Sequence, residues 1–165
     1  MTDPTQTFLR LAGSLDYPLF IVTAAKDERR EGCVIGFATQ CSFDPARFLA
    51  CLSRENRTYR LALIADALAV HLIPRARRDL AELFGGETGD DIDKFDRCAW
   101  RPGPHGLPIL DDCPSWFAGT IEARLNLGDH VGFLLDPIKA RYAEGEAIVF
   151  FQAVKDAIDP GHPIT

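Results

Sequence analysis

The chain has 165 residues, with 18 Lys and Arg against 24 Asp and Glu, giving a formal charge of −6. This length suits a single domain, taken as 1–165, and such a chain buries roughly 70% of its unfolded surface, so it needs no disulfide or metal to fold. A content of 47% hydrophobic and 25% charged residues excludes disorder, collagen and coiled coil. The acidic balance argues against nucleic acid or an anionic membrane as partner.

No apolar run approaches the ~20 residues of a membrane helix. The opening residues lack the basic and apolar regions of a signal peptide. The expectation is a cytoplasmic protein. Its five cysteines, Cys33, Cys41, Cys51, Cys98 and Cys113, are odd in number and include no CxxC pair. They are expected to be buried small hydrophobes rather than disulfides or zinc ligands.

Asp3-Pro4 followed by Phe8, Leu9, Leu11, Ala12 and Leu15 predicts a short amphipathic helix that weakens at Gly13-Ser14. Residues 18–25 are β-branched and aromatic, a strand, and 26–32 read as a turn. A long strand is expected over 33–43, stopped by Asp44-Pro45, with a neighbour over 47–53. A helix from about 57 to 64 precedes a strand through Leu68, Val70 and Leu72 that ends at Pro74. A second helix over 75–84 stops at Gly85-Gly86. Residues 86–114 hold seven Asp or Glu among several Pro and Gly, and are expected to be irregular. Strands at 115–125, 130–138 and 146–154 bring the count to six or so, while 155–165 reads as a polar tail or dimer arm. Without alternating βα units, this order favours a closed antiparallel barrel over a doubly wound sheet.

The common catalytic signatures are absent: no GxGxxG, Walker loop, HExxH or GxSxG. The histidines His71, His105, His130 and His162 are scattered, and no metal site is expected. Three local features stand out. Along 33–43, Cys33, Ile35, Phe37, Thr39, Cys41 and Phe43 alternate with Val34, Gly36, Ala38, Gln40 and Ser42. The second face, small and then polar, suits either tight core packing or the approach of a flat ligand to the backbone. In the turn at 53–58, Asn56 is a good N-cap, and Ser53, Arg54, Arg57 and Thr58 add donors. That pattern suits a phosphate site or an ordinary capped helix with solvated arginines. Arg75, Arg77 and Arg78 form a basic cluster that Asp79 and Glu82 can neutralise locally.

Read in order, a series of short motifs resembles the flavin reductase-like family, the FMN-binding split barrels. The series begins with Gly32-Cys33-Val34-Ile35-Gly36-Phe37, Gln40-Cys41-Ser42-Phe43-Asp44-Pro45, Cys51-Leu52 and Asn56-Arg57-Thr58. It continues with Leu80-Ala81-Glu82-Leu83-Phe84, Lys94-Phe95, Gly106-Leu107-Pro108-Ile109-Leu110 and Gly128-Asp129-His130, and spans about residues 15–140. The resemblance implies an all-β fold with short inserted helices, a six-stranded Greek-key split barrel that forms a homodimer and binds flavin at or near the interface. It implies an oxidoreductase passing hydride from NAD(P)H to FMN or FAD, with a monooxygenase as a potential partner.

Carried over by position, the backbone of Thr39, Gln40, Cys41, Ser42 and Phe43 lies along the isoalloxazine ring. Ser53, Arg54, Asn56, Arg57 and Thr58 hold the phosphate. Arg77 stands where many relatives have Gln, Phe84 closes the pocket, and His130 resembles the histidine beside the nicotinamide or flavin ring. Val34 and Gly36 replace the family's Thr and Asn, Phe37 its Ser, and Ala46 its second Pro. The backbone is therefore expected to carry more of the binding. A flavin- or haem-binding split barrel without reductase turnover is the second expectation, and a barrel that serves only as an interaction module the third.

Overall fold

Along β1 (Phe20–Lys26), Phe20, Val22 and Ala24 face one way, while Leu19 and Ile21 face the other; all five are buried. A strand apolar on both faces must lie inside the molecule. In the computed structural model, which describes residues 1, 3–86 and 92–158, it does: β1 sits between β2 (Arg29–Ile35) and β5 (Ala67–Leu72). The expected turn over 26–32 shrinks to Asp27 and Glu28, since Lys26 pairs with Arg29 and Asp27 adopts φ 55°. The remaining residues of that stretch are strand, their charges kept at a solvent-facing rim.

The expected continuous strand over 33–43 is broken. β2 ends at Ile35 and β3 (Ala38–Phe43) begins after Gly36 and Phe37. Cys33 and Ile35 point into the main core, and so does Ala38, so the inward parity flips across the break. A Cβ on Gly36 would collide with the Tyr17 ring, which fixes the close approach there. β4 (Ala46–Ser53) pairs with β3 and with β9 (His130–Arg141), and β9 pairs with β8 (Trp116–Asn126), which lies against β5. The sheet order is β2-β1-β5-β8-β9-β4-β3, seven strands rather than six, with every neighbour antiparallel. Its two edges, β2 and β3, are joined by only two residues. The sheet must therefore curl until its edges meet, which makes the split barrel.

Inside the barrel, Val22, Leu52, Leu68, Val70, Phe133 and Leu135 pack together with Leu61 of α2 (Arg57–Ala62). The outer face of β1 is covered by α3 (Arg78–Gly86), whose Leu80, Ala81 and Phe84 join Ile21, Ile73 and Leu110 in a second core. A hairpin of β6 (Trp100–Pro102) and β7 (Pro108–Leu110), within the stretch expected to be irregular, covers β5 and β8. The expected strand at 146–154 is instead two single bridges, Pro74 to Ile148 and Pro18 to Phe150, followed by the short helix α4 (Phe151–Val154). Its apolar residues Val149 and Val154 plug the second core rather than line a sheet. Residues 87–91 of the irregular stretch and 159–165 of the tail lie outside the described residues.

At the N-terminus, Asp3 caps α1 (Pro4–Gly13) by accepting from the Thr5 N–H. None of the residues of α1 is buried, and Phe8, Leu9, Leu11 and Leu15 stay exposed. Among the described residues no helix is long and apolar enough to cross a membrane.

Candidate functional site

Two strand registers and one helix cap bring Phe37, Ser53, His130 and the start of α2 to one end of β4, while Thr39 to Phe43 run from there along β4 to Ala46 at its other end. β3 is an edge strand, so the outer side of its backbone has no ladder partner among the described residues. Thr39, Gln40, Cys41 and Phe43 on it are exposed. Next to it, Ser53 ends β4 directly opposite His130, the first residue of β9. The Phe37 ring lies 5.0 Å from the His130 ring and 6.3 Å from Tyr17, which stacks on Phe151 at 4.8 Å. The Phe37 carbonyl accepts from the Cys51 N–H, tying the β2–β3 break to β4.

His130 is held by its neighbour: Nδ1 donates to Asp129 Oδ1 over 2.7 Å, because the carboxylate can only accept. The turn that carries Asp129 is fastened to the start of α2 by Arg54. Its N–H donates to the Asp129 carbonyl, its Nε to the Gly128 carbonyl at 2.8 Å, and its Nη2 to Asn126 Oδ1. Nη1 also reaches the Tyr59 hydroxyl at 3.1 Å. Arg54, expected on the phosphate, is thus committed to protein acceptors beside His130.

At the start of α2, Asn56 caps the helix as expected, its side-chain oxygen accepting from the Thr58 N–H at 3.1 Å. Ser53 Oγ accepts from the Glu55 N–H. The Thr58 hydroxyl is buried with no oxygen or nitrogen partner and lies beside the Cys33 thiol, a weak hydrogen-bonding group. Burial pushes that thiol up to about 11, against the pull of Thr58 and Lys94. Arg57 turns toward β2, where Nε and Nη2 both donate to Glu31 Oε1, at 3.1 and 3.0 Å. An open cleft of about 320 Å³ passes this pair, with Arg29, Arg30 and Lys94 also on its walls. Lys94 Nζ, itself buried, donates to the Gly32 and Phe84 carbonyls and so ties α3 to β2.

The other candidates sit apart from this cluster. Arg77 is paired with Asp79 and Asp112, which raise its pKa further, and its guanidinium holds the Asp79 carboxyl below its usual range. Phe84 is 1% exposed, packed in the second core against Phe95 and behind Gly32. Val34 also faces that core. Of the five free cysteines, Cys33 and Cys113 are buried, Cys51 and Cys98 half-buried, and Cys41 is exposed because β3 is an edge. Burial pushes the Cys98 and Cys113 thiols up to about 11 and about 12, which leaves them unreactive.

Sequence reasoning missed Glu31, Asn126, Tyr59 and Tyr17. Only Glu31 left a signal: it is a lone acid within Arg29-Arg30-Glu31, which alternates toward the barrel mouth once the stretch is read as strand.

The family description "flavin reductase like domain" matches residues 12–158. The chain is similar to the FMN reductase (NADH) RutF of Stutzerimonas stutzeri, at 27% identity over 90% of this chain and 83% of that one. It is similar to the stachydrine N-demethylase reductase subunit Stc3 of Rhizobium meliloti, at 26% identity over 72% of this chain and 51% of that one. Among solved structures, the NADH:FAD oxidoreductase SgcE6 of Streptomyces globisporus superposes with a TM-score of 0.82 at 21% identity, covering 91% of this chain and 90% of that one. Three curated relatives are longer, and the chain spans 36%, 51% and 66% of their lengths.

Proposed function

The chain belongs to the flavin reductase-like family, and on that premise we propose that it is a flavin-dependent oxidoreductase that passes hydride from NAD(P)H to FMN or FAD. The observation that carries the reading is the meeting of the Phe37–His130 pair with the Ser53 end of β4 and the start of α2, from which the exposed edge of β3 runs along β4 toward Phe43. The donor set fits a flavin. The free edge of β3 offers backbone N–H and C=O groups to a planar ring, Phe37 offers an apolar face, and the Ser53 hydroxyl and Arg57 guanidinium suit a phosphate.

A bound flavin supplies the hydride acceptor and the redox chemistry; the chain's residues bind and orient. In this reading Thr39–Phe43 seat the ring through backbone groups, and Ser53, Asn56, Arg57 and Thr58 form the phosphate end. His130, oriented by Asp129, sits where it can contact the nicotinamide or the ring edge. Arg54 holds that turn in place. Relatives named as an FMN reductase and an N-demethylase reductase subunit support this assignment, and one named as the reductase subunit of a flavin-dependent monooxygenase supports a monooxygenase as acceptor partner. We place the protein in the cytoplasm as one domain over 1–165 and as a homodimer, with the bare apolar stripe of α1 as part of the dimer contact.

The test is titration of the native protein and Arg57→Ala with FMN and riboflavin, together with steady-state NADH and NADPH oxidation. Expected are saturable binding of about one flavin per subunit, flavin-dependent turnover, and a loss in Arg57→Ala that is far larger for FMN than for riboflavin. Equal loss for both overturns the phosphate assignment. The second reading, flavin or haem binding without turnover, is favoured by one observation: Phe37 places an apolar ring where the family carries a hydroxyl donor. Binding without NAD(P)H oxidation selects it.

A further inference from the structure

We propose that Glu31 is a specificity-determining residue that competes with the flavin phosphate for Arg57 and so sets how strongly the site prefers FMN to riboflavin. This rests on the flavin reading above. Two N–H groups of the Arg57 fork converge on a single Glu31 oxygen, at 3.1 and 3.0 Å. Both residues line the cleft, and the Glu31 side chain is only 17% exposed against 40% for Arg57, so the carboxylate is the better shielded partner and the guanidinium the more accessible one. A carboxylate at this distance cancels much of the cation's attraction for a second anion, most strongly where water is partly excluded.

The position of Glu31 is enforced from both sides. It pairs with Ala24 of β1 in the ladder, and the following residue, Gly32, is pinned by the Lys94 ammonium and by the ring of Phe84. The backbone that carries the carboxylate therefore stays in place when a phosphate arrives, and the side chain remains within reach of Arg57. The incoming anion must share the fork with Glu31 or draw Arg57 away from it, and in both cases its affinity drops. Contacts that the ring makes along β3 are untouched, because the Glu31 side chain bonds Arg57 and reaches no residue of β3. The consequence is a site in which the phosphate adds less than an unscreened arginine would provide, which suits a flavin that must leave as product.

The experiment is calorimetric titration of native protein, Glu31→Gln, Arg57→Ala and the double variant with FMN and with riboflavin, at low and high salt. Gln keeps an acceptor for Arg57 but removes the charge. Glu31→Gln is expected to tighten FMN roughly tenfold while riboflavin stays within about twofold. The gain is expected to shrink at high salt and to vanish in the double variant. An FMN-to-riboflavin ratio that is unchanged or lowered in Glu31→Gln, while the loss in Arg57→Ala is still far larger for FMN than for riboflavin, overturns the role of Glu31 alone. A native protein that binds neither flavin, or an Arg57→Ala that loses both equally, overturns the underlying reading and the proposal with it. If Glu31→Gln does not fold, Glu31→Asp, which withdraws the charge by one methylene, is expected to raise the ratio about threefold, and no change in it overturns the proposal.

Discussion

His71 shows how one buried side chain makes stability depend on pH. It is fully buried on β5, its Nδ1–H donating to the Ile21 carbonyl at 3.0 Å and its Nε2 accepting from the Leu110 N–H at 3.1 Å. Both nitrogens are used by the neutral ring, and burial lowers its pKa from 6.5 to about 4. The folded state therefore resists protonation, whereas the unfolded chain takes up a proton below about 6.5. The contribution is complete above that pH and is lost progressively as pH falls toward 4. Urea unfolding across this window is expected to show a decline of roughly 3 kcal/mol, absent in His71→Leu whatever that variant's own baseline. Gly32 is the second sensitive position. A Cβ there would lie 2.8 Å from the Phe84 ring, wedged between Phe84 and Phe95. Gly32→Ala is expected to cost about 1–3 kcal/mol in chemical denaturation through overpacking.

At the scale of elements, the start of α2 works as two separable halves. Arg54 fastens the β8–β9 turn, through Asn126, Gly128 and Asp129, and so sets where His130 sits. Arg57 looks the other way, toward β2 and the cleft. Arg54→Ala is expected to lower NADH-driven turnover and to cost about 1–2 kcal/mol of stability, while leaving the FMN-to-riboflavin affinity ratio unchanged. Arg57→Ala is expected to do the reverse: a changed ratio with a smaller effect on stability. Binding and turnover measured side by side separate the two. A matching fall in the affinity ratio for both variants would assign Arg54 to the phosphate after all.

For the molecule as a whole, a helix of ten residues with no buried side chain is an unfinished element. Phe8, Leu9 and Leu11, with Leu15 just past its end, gain nothing from their exposure unless another surface covers them. For the proposed homodimer, Leu11→Glu with Phe8→Glu is expected to shift sedimentation from dimer to monomer, with little change in circular dichroism. An unchanged sedimentation coefficient would remove α1 from the dimer contact. Ligand linkage gives a check of the assembled fold: FMN at 100 times its Kd is expected to raise the unfolding free energy by about 2.7 kcal/mol, read as a higher Tm.

What the amino-acid sequence determined by itself is what neighbours a few residues apart decide. Asp3 and Asn56 cap their helices because side chain and amide are two residues apart. Alternation wrote the all-β character, and the order of short motifs wrote the family. Tertiary structure decided the rest, since the deciding contacts join residues far apart in the chain. The break at Gly36-Phe37, with its reversal of faces, exists because the curled sheet must pass from one edge to the other under Tyr17. Phe84 went into a core because α3 lies on β2. Glu31 found Arg57 across 26 residues, and Arg54 found Asn126 across 72. No local pattern encodes such pairings; they form only when closing the barrel brings two polar groups distant in the chain within hydrogen-bond reach.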